Sequence, residues 1–421
     1  MVRNTEWEKI SVGEILAKSK SFIQTGPFGT VLSADEFSEY GIPVISVREI
    51  REGYIQISSE TPCVSEEIFH RLSKYALKKN DIVFARKGSV DRSAIISSDK
   101  KKYFLGSDGI YLRLDSKEFC PEFVMYCLQS SEVKSYILQN SYGSTMAGLN
   151  EKILSSILLP NPPALDEQQK VAGILSDLDD MITSLENLIA KKKAIKQGAM
   201  QELLSGAQRL HGFKEPFTAF SFAEVFSFIP NNAFTRAEMA ESGTVKNVHY
   251  GDILTKYGVY IEANDSKIPY LSRNVDLSRF GEKSYLQSGD MILADTAEDE
   301  TVGKAVEIIN VDSPILAGQH TLLCRPKVRF APKFLGYYLN SGAYHDQLLS
   351  YIVGTKVSSV SKASVSKTTL LVPCYEEQQA IASVLSDMDS EIEALEQKLI
   401  KCHEAKQGMM QQLLTGKIRL I

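Results

Sequence analysis

Two stretches of the chain carry apolar residues at the same three- and four-residue spacing. In the first, Leu175, Leu178, Ile182, Leu185 and Ile189 lead on to Ala199 and Leu203. In the second, Leu385, Met388, Ile392, Leu395, Leu399 and Cys402 lead on to Met409 and Leu413. This spacing gathers the apolar side chains on one stripe of an α-helix and predicts a coiled-coil seam of about four heptads. The stretches are copies. Glu167-Gln168-Gln169 recurs as Glu377-Gln378-Gln379, an offset of 377 − 167 = 210, and 22 of the 44 ungapped positions from 167–210 match 377–420.

Each copy has a start and a stop. Pro163 and Pro373 lie just upstream, where a proline is tolerated, and Gly206 and Gly416 follow Leu-Leu-Ser and Leu-Leu-Thr as C′ glycines. Asp166 with Gln169 predicts a capping box; Glu376 is a poorer cap at the equivalent place. A helix of ~40 residues is roughly 60 Å long, and its seam must be covered. The other copy is the obvious partner, antiparallel if the chain has pseudo-two-fold symmetry. Gly198 and Gly408 sit inside both helices at a cost of ~1 kcal/mol each relative to alanine, which points to close backbone approach or a kink; a fraying last turn is the plainer reading.

The intervening segments have a different texture. Short β-type runs occur at 43–47, 81–85 and 109–114, and again at 268–271, 290–294 and 320–324. Helical stretches follow each set, at 122–139 and 332–351. The expected class is mixed α/β (α+β): two globular domains, 1–163 and 208–373, joined by two long helices, 164–207 and 374–421, that form an antiparallel coiled coil. The domains echo each other faintly. Asp81-Ile-Val-Phe-Ala-Arg86 parallels Asp290-Met-Ile-Leu-Ala-Asp295, and Gly143-Ser-Thr145 parallels Gly354-Thr-Lys356.

Composition narrows the function. With 43% hydrophobic and 24% charged residues the chain can bury real cores, and no apolar run approaches the ~18–20 residues of a membrane span. The N-terminus lacks a secretory apolar stretch, so a cytoplasmic protein is expected. The six cysteines form no CxxC pair and the six histidines show no ligand spacing, which favours reduced thiols and no metal. The net charge of −5 argues mildly against generic nucleic-acid binding, yet Arg71 to Lys102 holds ten basic against three acidic residues, a patch or a solvated face.

Catalytic motifs are missing. Asn161-Pro162-Pro163-Ala164 resembles the Asn-Pro-Pro-aromatic loop that clamps an extruded adenine in amino-methyltransferases, but alanine replaces the aromatic and no glycine-rich cofactor loop follows a strand. Glu-x-Lys triplets at 132–134, 396–398 and 404–406 have no upstream Pro-Asp. Neither G-x-S-x-G nor GxxxxGK[ST] occurs. The residues favour binding over chemistry, leaving a DNA reader or a coiled-coil scaffold whose domains bind proteins.

Two divergent domains, each followed by a copied helix, resemble the DNA-specificity (S, or HsdS) subunit of type I restriction–modification systems. The most specific elements are Pro160 to Gln169, Leu175 to Asp179, Lys196 to Gly206, and the hand-over Arg209 to Pro216; Gln24 to Gly29, Asp81 to Arg86, Val248 to Asp252 and Gly318 to Thr321 look like phrases of its target-recognition domains. The resemblance implies a non-catalytic subunit reading an asymmetric bipartite target on double-stranded DNA. It also implies two methyltransferase (modification) subunits that carry S-adenosylmethionine, and restriction subunits that add ATP-driven translocation with Mg; no cofactor is expected on this chain.

Side-chain chemistry in loops supplies the candidate DNA contacts. In the first domain they are Gly26, Phe28, Gly29, Arg48, Arg86, Lys87, Arg92, Ser144 and Thr145. In the second they are His249, Tyr250, Lys256, Lys304, Gln319, His320, Thr355 and Lys356. On the helices, Gln168, Gln169, Gly198, Gln378, Gln379 and Gly408 are the candidate partner contacts.

Overall fold

The computed structural model describes residues 7–141, 148–299, 301–354 and 357–420. Two compact units emerge: Met1–Glu186 with Lys398–Ile421, and Asn187–Gln397. The long helices run Leu165–Ser205 and Tyr375–Leu413, so each helix is shared between the units. Within the second unit Lys196 pairs with Asp389 and Lys192 with Glu391; within the first, Lys406 pairs with Asp179. Cys402 also meets Met181 in the first unit, so in both units a rising number on one helix meets a falling number on the other and the pairing is antiparallel. Leu175, Ile182, Leu185 and Ile189 are buried on the first helix, Leu385, Ile392 and Leu413 on the second.

The first domain is built on a sheet with strands in the order Phe22–Thr25, Gly109–Arg113, Ile82–Ala85, Ser93–Ile95, all antiparallel. The second uses Phe226–Ile229, Thr321–Pro326, Met291–Ala294, Ala305–Ile309, the same arrangement with Tyr260–Glu262 added in parallel at the edge. A second sheet in each has one parallel pair, Ile42–Ile45 with Tyr103–Leu105, and Lys246–Val248 with Ile315–Ala317. Each central strand is buried at every residue, which is why it reads as a continuous apolar run. At its base a buried aspartate accepts both arms of an arginine: Arg113 on Asp81 at 2.6 Å, and Arg325 on Asp290 at 2.9 and 2.7 Å. The duplication therefore covers the domains as well as the helices.

Strand pairs close each domain where the chain enters and leaves: Glu8–Ser11 with Leu158–Asn161, and Thr218–Ser221 with Thr369–Val372. Asn161 is thus a strand residue opposite Glu8, and the Asn-Pro-Pro run is structural punctuation. Capping boxes follow both entry strands, Ser11 with Glu14 and Ser221 with Glu224. Helix ends are packed into the domain cores. Val171, Ala172 and Leu175 with Leu413 and Leu414 join Phe123 in one, and Ile381, Ala382 and Leu385 with Leu203 and Leu204 join Phe222 in the other.

Three local expectations need correction. Asp166 lies inside the first turn of its helix and pairs with Lys170, so the capping box does not form. The stretch 122–139 is two helices, Pro121–Leu128 and Ser131–Asn140, because the Ser130 hydroxyl accepts from Val133 N and starts a new one. The stretch 332–351 likewise splits into Phe334–Leu339 and Gly342–Leu349.

Candidate nucleic-acid interface

In the first domain the chain leaves the Ile82–Ala85 strand at Arg86, whose backbone is fixed on both sides. Its N–H donates to Asp108 O at 2.8 Å and its carbonyl accepts from Leu149 N at 2.8 Å. The guanidinium lies over the Phe28 ring, 4.1 Å from the centroid, and Phe28 is 48% exposed. Phe28 is held there by its own turn: Gly26 N donates to Gly109 O, and a Cβ on Gly26 would stand 1.8 Å from Gly106 O. Lys87 pairs with Asp108 at 3.0 Å. Arg92 closes the hairpin by accepting from Ala85 N through its carbonyl. Exposed Arg48 follows Val47, whose side chain is 4.0 Å from where a Gly88 Cβ would lie. Gly26, Phe28, Arg86, Lys87 and Arg92 are therefore brought together with Gly29 beside them, and the Arg48 turn borders the group. Ser144 and Thr145 lie outside the described residues.

Besides Lys87, two of the ten basic residues of this run are neutralised locally. Arg71 pairs with Glu36 and Lys102 with Glu66, which makes those residues a solvated face.

The second domain assembles an aromatic and imidazole cluster at the same end of its central strand. Rings of His249 and Tyr250 are 4.7 Å apart, and Tyr250 meets His320 edge-on at 5.2 Å. Gln319 Nε2 is 3.3 Å from His320 Nε2. His320 is held at φ +54°, an uncommon conformation for a residue with a side chain. Its Nδ1 lies 3.6 Å from Asp295 and 3.4 Å from the Thr296 hydroxyl. His249 accepts from Gly251 N through Nδ1 at 3.1 Å; burial lowers its pKa, and Arg236 pushes the same way against Asp252. It is therefore a neutral ring at pH 7.

Two lysine candidates are engaged elsewhere. Lys256 pairs with Asp252 at 2.9 Å, a carboxylate that Arg236 also holds. Asp252 is fully buried; its burial opposes ionisation, but the two cations win and its pKa falls below the usual value. Lys304 donates to Leu254 O at 3.1 Å and Tyr257 O at 3.3 Å, satisfying the end of the Tyr250–Thr255 helix, and burial lowers its pKa. Thr355 and Lys356 lie outside the described residues. Asp295 escaped the sequence reading, although its parallel with Arg86 was visible there.

On the long helices the glutamine pairs divide. Gln168 and Gln378 are not free for a partner: both are buried, accepting from Cys120 N at 2.9 Å and Ala331 N at 3.1 Å. That requirement corrects their reading as docking residues. Gln169 and Gln379 are exposed. At Gly198 and Gly408 a Cβ would meet nothing within 4 Å, so no packing within the chain demands glycine at either. Among the described residues no metal-holding cluster occurs and no helix is long and apolar enough to cross a membrane.

A model of the type I restriction modification DNA specificity domain matches residues 4–197 and again 215–402. The chain is 25% identical to the type I restriction enzyme MjaVIII specificity subunit of Methanocaldococcus jannaschii, over 99% of this chain and 93% of that one. It is 23% identical to the putative MjaX specificity subunit of the same organism, over 99% and 98%. In fold it is similar to the S subunit of a type I restriction–modification system from M. genitalium, with a TM-score of 0.58, 15% identity and 98% and 97% of the two chains covered. A second structure, from work on assembly and conformational transition of the type I system, gives 0.55 at 15% identity, covering 98% of each. Two matched copies spanning most of the sequence settle the family: the chain belongs to the DNA-specificity subunits of type I restriction–modification systems.

Proposed function

We propose that this chain is a non-catalytic, cytoplasmic reader of a split, asymmetric target on double-stranded DNA. One observation carries the reading. The same loop cluster, at the same end of the same sheet, occurs once in each domain with different side chains. Two such clusters on one chain suit two half-sites of different sequence. Phe28, Arg86, Lys87 and Arg92 face the first half-site; His249, Tyr250, Gln319 and His320 face the second. Two methyltransferase subunits dock on the repeated helix faces, one at Gln169 and Gly408 in the first unit and one at Gln379 and Gly198 in the second. They carry the S-adenosylmethionine, and restriction subunits, where present, use ATP and Mg. A protein-binding scaffold would have no need of two diverged loop clusters bearing base-reading side chains.

The test is DNA binding by the full chain assembled with its modification subunits. Specific affinity is expected to fall steeply as salt rises from ~50 to 200 mM, since phosphate contacts release counterions. Absence of specific binding by that complex would refute the reading. Mapping methylated adenines after co-expression then gives both half-sites.

A further inference from the structure

The residue that follows the central strand occupies one backbone niche in both domains, and its charge is opposite in the two. Arg86 N donates to Asp108 O at 2.8 Å, and Arg86 O accepts from Leu149 N at 2.8 Å. Asp295 N donates to His320 O at 3.1 Å, and Asp295 O accepts from Val360 N at 2.9 Å. The facing residue is exchanged as well, Asp108 in the first niche and His320 in the second. From this geometry, and resting on the DNA-reading function proposed above, we infer that positions 86 and 295 are equivalent base-reading positions of opposite hydrogen-bond polarity. Arg86 takes the acceptor edge of a guanine in the first half-site. Asp295 takes an exocyclic amino group, of cytosine or adenine, in the second.

The chemistry of each side chain sets the assignment. A guanidinium has only donors, arranged in a plane that matches O6 and N7 of guanine. Arg86 lies over the Phe28 ring, 4.1 Å from its centroid, so its guanidinium is positioned before any DNA arrives, and among the described residues no carboxylate bonds to it. Lys87 does not duplicate the role, because Asp108 neutralises it. An ionised carboxylate has only acceptors and is repelled by phosphate, which leaves a base amino group as its partner in DNA. Thr296 donates to Asp295 Oδ1 at 2.8 Å, and His320 lies on that same oxygen; among the described residues Oδ2 receives no hydrogen bond. Both side chains are half-buried and both residues are rooted by two backbone hydrogen bonds.

The experiment is selection from a duplex library randomised in both half-sites, using the full chain assembled with its modification subunits. The wild-type consensus is expected to hold a guanine in one half and a base with an amino group at the position governed by Asp295 in the other. Arg86→Ala should erase preference at one base pair of one half-site by roughly 5- to 150-fold and leave the other half unchanged. Asp295→Ala should do the converse. The unaltered half-site, read by the same molecule, reports that each variant is folded; Arg86→Lys, which keeps the charge without the planar fork, should retain only part of the preference. A loss spread evenly over all sequences would make Arg86 a phosphate contact and overturn the inference, as would no change at either half-site. A wild-type complex that selects no sequence would instead refute the DNA-reading function itself.

Discussion

Tyr126 donates its phenolic hydrogen to Asp179 across 2.8 Å, and the repeat preserves the contact as Tyr337 on Asp389 at 2.6 Å. A lysine from the opposite long helix reaches each carboxylate, Lys406 for Asp179 and Lys196 for Asp389, and lies over the tyrosine ring at 5.7 and 5.4 Å. Burial, and then the adjacent carboxylate, push both phenols above their ordinary range, so they remain donors at any working pH. Three elements thus meet at one aspartate: a domain helix and both long helices.

This junction makes Asp179 a test of how the first domain is held. Tyr126→Phe is expected to cost about 1 kcal/mol, the usual value of one hydrogen bond. Asp179→Ala strands both the phenol and the ammonium, yet the carboxylate is 39% exposed, so solvent screening keeps the expected loss to about 1–2 kcal/mol. With two compact units, a global unfolding midpoint does not say which unit was loosened and is the weaker readout for this local change. Hydrogen exchange is the better one: Asp179→Ala should speed exchange across 121–128 and leave 334–339 unchanged.

Gly198 and Gly408 give a prediction of opposite sign for the isolated chain and its assembly. A methyl group added at either meets open space, so Gly198→Ala and Gly408→Ala should each stabilise the isolated chain by up to about 1 kcal/mol. If a modification subunit approaches the helix backbone there, the same methyl obstructs it. Thermal melts should therefore rise while affinity for the modification subunit, measured by calorimetry, falls. Unchanged affinity in both variants would remove these glycines from the docking face.

Which parts of this were legible in the sequence follows from how local each signal is. The long helices were, because a seam at 3/4 spacing repeats the same statement many times. The break at Gln129–Ser130 was not: the apolar residues continue across it, and only the Ser130 cap marks the new start. The shared domain fold was nearly invisible, since it rests on pairings such as Asp81 with Arg113, whose partners lie far apart in sequence. At the candidate site, His249, Tyr250, Gln319 and His320 stand out in sequence by their side-chain chemistry in loops, and the structure brings them together. Asp295 was passed over because a lone loop carboxylate signals nothing until its niche is seen beside that of Arg86. Gln168 was misread for the opposite reason, as its repetition reflects a duplicated backbone contact.

Glu307 supplies a pH dependence. It is buried in the second domain, accepting from Lys333 N and Gly336 N at 2.8 Å each, and burial pushes its carboxyl up to about 7 although those donors pull it down. Between its ordinary 4.5 and 7 the folded chain holds more protons at this group than the unfolded chain does, so stability falls as pH rises through that window. The contribution is intact below the lower value and lost above the upper one, amounting to at most about 3 kcal/mol. Urea titrations at pH 5 and pH 8 should show the decline. Glu307→Gln, which cannot ionise, should flatten it; an unchanged slope would mean the carboxylate is ionised in the fold.

Exchanging residues 208–373 for another recognition domain tests the division of labour. Among the contacts of the second unit that the exchange cuts, Arg209 pairs with the retained Glu377, Tyr337 with the retained Asp389, and Ala331 N with the retained Gln378. The incoming segment must therefore supply an arginine for Glu377 and a tyrosine for Asp389. Without the arginine the buried Glu377 carboxylate is left unpaired, at a cost of about 3–5 kcal/mol, and the chimera's failure would be one of folding. With both in place, methylation mapping should show one half-site replaced and the other untouched, since Arg86 and its surroundings lie wholly outside the exchanged segment. If both half-sites changed, base reading would not be confined to separate domains and the two-reader arrangement would be wrong.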